Sequence, residues 1–370
     1  MSTIVTPPPT AVPPQPPAAP LRERLTGQIL LDVKDLKKYF VIHRGFLRRT
    51  TGYVRAVDDV SFQIQEGETL ALVGETGCGK TTTSRCILRA IDPTSGQILF
   101  RTESGKTVDV ATISKRELRP LRRQMQMIFQ DPYSSLNPRM TVLDIIGEPL
   151  LVNGVKSRRE RIDRVEELMR LVRLRPEYMR RFPHAFSGGQ RQRIGIARAL
   201  ALHPKLVVAD EPVSALDVSV QAQTLNLLLE LQNTLGLTYL FVAHNLGVVK
   251  HISDRVAVMY VGQIAELAER EALFRSPKHP YTAALLASVP KPDPRLRGQR
   301  KPLPGEVANP AAPPTGCYFH PRCAFAVERC KVERPAWEQI SPGHWVRCHR
   351  ARELTLPGIE TSSTVAPAAN

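Results

Sequence analysis

Cysteine is scarce in this chain: six in 370 residues, and only Cys78 and Cys86 precede residue 317. Such scarcity excludes a small secreted framework stapled by disulfides. Aromatic residues make up 6% and do not interleave with the basic ones, so no base-stacking surface for nucleic acid is visible. No apolar run approaches the ~20 residues needed to span a bilayer. "LDIIGEPLLV" and "KLVVADEP" are both broken by charge or proline. The opening "MSTIVTPPPTAVPPQPPAAP" lacks the cationic segment and apolar run of a secretory signal. Its prolines read as an extended, disordered leader over residues 1–26. The expectation is a soluble, cytosolic chain whose thiols stay reduced.

Charge of one sign is plentiful. Lys and Arg number 51 against 35 Asp and Glu, a net +16, which suits nucleic acid, an anionic membrane surface or nucleotide phosphates. Much of it is interleaved with acid, as in "KSRRERIDRVEELMRLVRLR", where Ile162, Val165, Met169 and Val172 recur at helical spacing. That pattern predicts an amphipathic helix with its charges on a solvated or membrane-proximal face, and no nucleic-acid partner is expected.

"LALVGETGCGKTT" is the most specific stretch. An apolar strand runs into Gly74, Glu75, Thr76, Gly77, Cys78, Gly79, Lys80 and Thr81, the G-x-x-x-x-G-K-[ST] spacing, with Thr82 behind it. Glycines let backbone N–H groups wrap phosphates, and the following helix points its positive end at them. Lys80 is expected against the β- and γ-phosphates and the Thr81 hydroxyl on Mg²⁺. Cys78, at a helix start rich in N–H groups, is expected to have a lowered thiol pKa and to react with alkylating reagents. Cys86 reads as a packed side chain.

"KLVVADEP" is a second apolar strand ending in two carboxylates. Asp210 is placed to hold Mg²⁺ and Glu211 to polarise the attacking water. In "FSGGQRQRIGIARAL", Ser187 caps a helix running to about Leu202. With Gly188, Gly189 and Gln190 it forms a second helix end suited to an anion.

Together these motifs resemble the ATPase subunit of ATP-binding cassette (ABC) transporters over roughly residues 29–270. Residues 74–81 resemble the family's first motif, "VVADEP" its carboxylate motif and "FSGGQ" its signature, with Phe186 for the more usual Leu. Gln130 in "MIFQDPYSSLNP" resembles the glutamine that touches Mg²⁺ and faces the membrane subunit. "SALD" resembles the loop that meets the partner subunit, and His244 in "LFVAHN" the switch histidine that contacts the γ-phosphate. Tyr39 or Phe40 in "LKKYF" takes the place of the aromatic that stacks on adenine. Asn245 stands where the family more often has Asp, and Cys78 where Ser is commoner.

The resemblance implies an α/β fold: a P-loop NTPase-type ABC nucleotide-binding domain over 27–270, with a helical subdomain at about 131–200. A small cysteine-rich C-terminal extension follows at 271–350, then a disordered tail at 351–370. It further implies ATP and Mg²⁺ as ligands, with Lys80, Glu211 and His244 catalytic. Two ATPase chains would pack head to tail, so that Ser187-type and Lys80-type residues share one nucleotide.

Segment 271–350 resembles the extension of oligopeptide, dipeptide and nickel importer ATPases. It implies a second, related ATPase chain, two membrane permease subunits, and indirectly an extracytoplasmic solute-binding protein. The location implied is the cytoplasmic face of the inner membrane. Peptide is the leading cargo, with nickel, glutathione or another small solute as the rival. A soluble ABC ATPase acting on DNA or ribosomes is the alternative from a different class.

Cys317, Cys323, Cys330 and Cys348 are separated by five, six and seventeen residues in turn. Disulfides conflict with the expected compartment, and the close cysteine pairs of a zinc ribbon are absent. Chance, a zinc site helped by His320, His344 or His349, and an iron–sulfur cluster on four thiolates all remain open on the residues alone. The resemblance adds that the segment is similar to that of peptide-importer ATPases carrying a [4Fe–4S] cluster. The expectation is a structural cluster on these four cysteines, apart from hydrolysis, with Zn²⁺ as the alternative.

Overall fold

Continuous apolar strands bury both faces of a sheet, and here they supply its middle. The computed structural model describes residues 25–44, 49–288, 303 and 305–359, so most of the expected leader and part of the tail lie outside the described residues. Strands β1 (Ile29–Arg44), β2 (Arg49–Gln65), β4 (Ser95–Arg101) and β5 (Thr107–Asp109) form an antiparallel sheet in the order β2-β1-β4-β5. The second sheet is built around β3 (Thr69–Val73), with β6 (Met125–Ile128), β7 (Leu206–Asp210), β8 (Thr238–Ala243) and β9 (Arg255–Tyr260). Its parallel part runs β9-β3-β8-β7-β6.

Side chains in these strands alternate between two cores. Ala71, Val73, Val207, Ala209, Tyr239 and Phe241 enter the core shared with the helices of residues 142–200. Leu70, Leu72, Leu206, Val208, Leu240 and Val242 enter the core shared with the antiparallel sheet. The register pairs Val73 with Ala243 and Asp210 with Val242. Loops leaving β3, β7, β8 and β6 therefore emerge on one carboxyl edge, where α/β sheets bind ligands.

Helices Val142–Val152, Arg158–Leu171 and Gly188–Leu200 pack on each other through Ile145, Ile146, Val165, Leu168, Met169 and Ile194. The charged segment is thus helical with Val165 and Met169 inward, as its spacing predicts. The helix after the phosphate loop is short. It spans Lys80–Ile87, with Leu88 as its cap and Arg89 in the left-handed region at φ 49°.

Residues beyond 270 continue the second sheet. β10 (Gln263–Glu269) pairs antiparallel with β9 and with β12 (His344–Val346), which pairs with β11 (Glu338–Ser341). Glu266 is fully buried and ties the two segments together. It accepts from the backbone N–H groups of Lys278 (2.7 Å) and His279 (3.0 Å) and lies 2.7 Å from His344 Nε2.

Candidate functional site

β3 is buried along its whole length and delivers the loop of residues 74–81 to the carboxyl edge. Two of its glycines admit no side chain. A Cβ on Gly74 would lie 2.1 Å from Met259 O, and one on Gly79, at φ 106°, 2.1 Å from Ala56 O. The helix opening at Lys80 has no acidic residue in its first turn, which leaves its N–H end available to an anion. Buried Lys80 Nζ donates to the carbonyls of Gly74 (2.8 Å) and Glu75 (3.0 Å), so the ammonium is held inside the loop. A cavity of about 400 Å³ opens between Gly74, Glu75 and Thr76 on one side and His244 and Asn245 on the other, with Leu285 and Ser288 at its edge.

Thr81 Oγ1 donates to Asp210 Oδ1 at 3.1 Å. Burial pushes the Asp210 carboxyl above its usual range, and the Thr81 hydroxyl only partly opposes this. A hard cation at this spot would restore its charge, and the hydroxyl and carboxylate oxygens are the donors Mg²⁺ takes. Glu211 follows at φ 47°, a left-handed conformation costly for a side chain-bearing residue. Its N–H bonds Val242 O at 3.0 Å. Glu211 Oε2 accepts from Gln130 Nε2 (3.1 Å) and lies 3.0 Å from His244 Nδ1. Residues from the ends of β6, β7 and β8 thereby converge on one carboxylate oxygen.

Ser187 and Gln190 form a reciprocal capping box, and Ser187 is exposed. Gly189 packs so closely on Val220 that a Cβ would lie 2.4 Å from Cγ1. No hydrogen bond among the described residues joins Ser187–Gln190 to the loop of residues 74–81. Of the two candidate aromatics, Tyr39 donates its hydroxyl to Asp58, whereas Phe40 is exposed with Lys38 Nζ 5.0 Å from its ring centre.

Cys78 corrects one expectation. Its side chain is buried, and burial pushes the thiol pKa up, although Lys80 Nζ sits 3.8 Å from Sγ. Desolvation outweighs the neighbouring ammonium, so the thiol is not activated. Cys86 is packed as expected, with burial raising its pKa to about 11.

The four C-terminal cysteines line one small cavity of about 10 Å³ together with His320 and His349. Burial pushes Cys317 up to about 11, Cys348 up to about 12 and Cys323 upward, and neighbouring thiols add to the effect. His344 is not part of this cavity, being paired with Glu266 instead. As a donor set, four converging thiols suit a soft metal centre. However, among the described residues no group of three or more His, Cys, Asp or Glu is spaced to hold a metal ion. A cluster would require these side chains to reorient around it.

Three features have no counterpart in the motifs. Asn245 Oδ1 accepts the N–H groups of Gly247 (2.8 Å) and Val248 (3.4 Å), so it caps the Leu246–Ile252 helix. An Asn before a helix was a readable signal for that role. Tyr281 OH accepts the Glu75 N–H at 3.0 Å, and Arg322 pairs with the Glu75 carboxylate. Neither contact has a local sequence signal.

Comparison with known proteins shows the family. Residues 57–214 match the family model described as ABC transporter, and residues 265–330 match that of the oligopeptide/dipeptide transporter C-terminal region. An oligopeptide transport ATP-binding protein of Bacillus subtilis is 51% identical over 325 residues, covering 87% of this chain and 97% of that one. A "Probable peptide ABC transporter ATP-binding protein" of Sinorhizobium fredii is 53% identical over 320 residues, covering 86% and 89%. The solved dimeric structure of a bacterial ABC transporter cassette matches with a TM-score of 0.57 at 27% identity, covering 65% of this chain and 99% of that one. A dimeric post-hydrolysis cassette bound to ADP and Pi gives 0.56, also at 27% identity and with the same coverage. The chain therefore belongs to the ABC transporter family of ATPases and carries the family's oligopeptide/dipeptide-type C-terminal region.

Proposed function

We propose that this chain is the ATP-hydrolysing subunit that powers an importer of di- and oligopeptides. The convergence of Gln130 and His244 on Glu211, beside the Thr81–Asp210 pair, carries the hydrolytic part of the reading. The cargo rests on the matched C-terminal region and on the peptide-transport relatives.

Lys80 leaves the carbonyls of Gly74 and Glu75 to meet the β- and γ-phosphates, while N–H groups of residues 74–82 wrap them. Thr81, Gln130 and Asp210 would hold Mg²⁺, which when bound neutralises charge developing on the phosphates. Glu211 takes the proton of the attacking water, and His244 contacts the γ-phosphate. Phe40 or Tyr39 stacks on adenine.

The Ser187–Gln190 helix end, with Ser187 exposed, receives the γ-phosphate of a nucleotide held by a second, related ATPase subunit. Loss of that phosphate removes the charge bridging the two chains and lets them part. No helix among the described residues is long and apolar enough to cross a membrane. The reading assigns passage to two permease subunits, contacted near Gln130–Met140 at the cytoplasmic face and fed by an extracytoplasmic solute-binding protein. Cys317, Cys323, Cys330 and Cys348 would hold a structural [4Fe–4S] cluster, with Zn²⁺ as the alternative.

Uptake in cells tests the cargo. Replacing the chromosomal copy with Lys80→Ala should abolish uptake of labelled di- and oligopeptides and leave nickel and glutathione uptake unchanged. Loss of nickel or glutathione uptake with intact peptide uptake would contradict the peptide reading.

A further inference from the structure

The cysteine-rich turn lies against the phosphate loop. Arg322 sits between Cys317 and Cys323, on a short 3-10 turn at His320–Arg322. Its NH1 and NH2 donate to the two carboxylate oxygens of Glu75, at 2.8 and 3.1 Å. The Arg322 side chain is 5% exposed and that of Glu75 26%, so the pair is largely withdrawn from water. A two-pronged guanidinium–carboxylate pair fixes orientation as well as charge.

Other contacts make this docking specific. Phe319, three residues before Arg322, packs against Tyr260 (5.3 Å between ring centres) and Tyr281 (5.4 Å). Tyr281 OH in turn accepts the Glu75 N–H. The side chain and the backbone of Glu75 are thus both held by residues beyond 270. Glu75 lines the 400 Å³ cavity beneath the phosphate loop, and its carbonyl takes Lys80 Nζ. Without Arg322, its carboxylate would be an unpaired negative charge beside a site built for a triphosphate.

We infer that Arg322 is a positioning residue for the phosphate loop, neutralising and orienting Glu75 so that the cysteine-rich segment forms part of the nucleotide site. The segment is then not merely appended to the cassette: disturbing the turn between Cys317 and Cys323 is felt at Glu75. The inference rests on the reading of residues 74–81 as the nucleotide loop.

Equilibrium binding of MgATP to the full chain, followed by displacement of trinitrophenyl-ATP, tests it. Arg322→Gln should weaken binding about tenfold, Arg322→Lys less, because Lys restores charge without the two-pronged geometry. Arg322→Gln combined with Glu75→Gln should bind several-fold tighter than Arg322→Gln alone, because the second change removes the unpaired charge. A general loss of folding predicts the opposite order, with the double variant the weakest. The inference is overturned if Arg322→Gln binds like wild type, or if the double variant gains nothing over it. A wild-type chain that bound no MgATP would overturn the nucleotide reading as well.

Discussion

Glu211 holds a left-handed backbone at the end of β7, and that conformation turns its carboxylate to where Gln130 and His244 meet it. Strain of this kind costs about 1–3 kcal/mol and persists where surroundings fix it. Glu211→Gln keeps the shape and hydrogen bonding but loses the proton acceptor. It should retain MgATP binding while turnover falls roughly 10²–10⁴-fold, the usual weight of a general base. Near-normal steady-state turnover would remove Glu211 from that role. Asp210, Glu211, Gln130 and His244 were legible because each lies at or just beyond a strand end in a fixed motif. The Cys78 environment was not, since a helix start suggests activation and only the packed structure reveals the desolvation that prevails. The Glu75–Arg322 pair was hidden for another reason: its members lie 247 positions apart.

At the scale of elements, the Pro280–Ala287 helix begins on a buried histidine. His279 Nδ1 accepts the Tyr281 N–H at 3.0 Å, which requires that nitrogen to be unprotonated. Burial holds the His279 pKa down at about 4, against a pull upward from Glu266. An unfolded histidine titrates near ~6.5, so the unfolded chain binds the extra proton first as pH falls. Stability from this cap is whole above about pH 6.5 and is lost progressively toward pH 4, by about 3 kcal/mol at most. The thermal midpoint of wild type should drop more steeply over that window than that of His279→Asn, which caps without titrating. Equal slopes would show that His279 does not drive the loss.

The thiol-bearing turn gives a second prediction at this scale. Protein purified anaerobically should be brown with about four irons per chain, and replacing any one of the four cysteines with serine should bleach it. Colourless protein with one zinc and no iron would replace the cluster by the alternative. The cysteines stood out in the sequence, but the added strands did not. β11 and β12 are four and three residues long, too short for a periodic pattern; β12 is placed by pairing with β10, and β11 by pairing with β12.

For the whole molecule, the helix starts at Lys80 and Gly188 are joined by no hydrogen bond among the described residues, and Ser187 is exposed. A net charge of +16 suits work beside an anionic membrane, where each basic residue near the surface adds about 1 kcal/mol of attraction. The order of motifs made the cassette readable from end to end, whereas subunit composition has no local signature. The central claim, an ATPase that drives membrane permeases, is tested most directly by affinity purification of the tagged full chain from detergent-solubilised membranes. The account predicts that two permease subunits and a second ATPase chain copurify, and that the isolated assembly hydrolyses ATP. Recovery with ribosomes or DNA and no permease would contradict it.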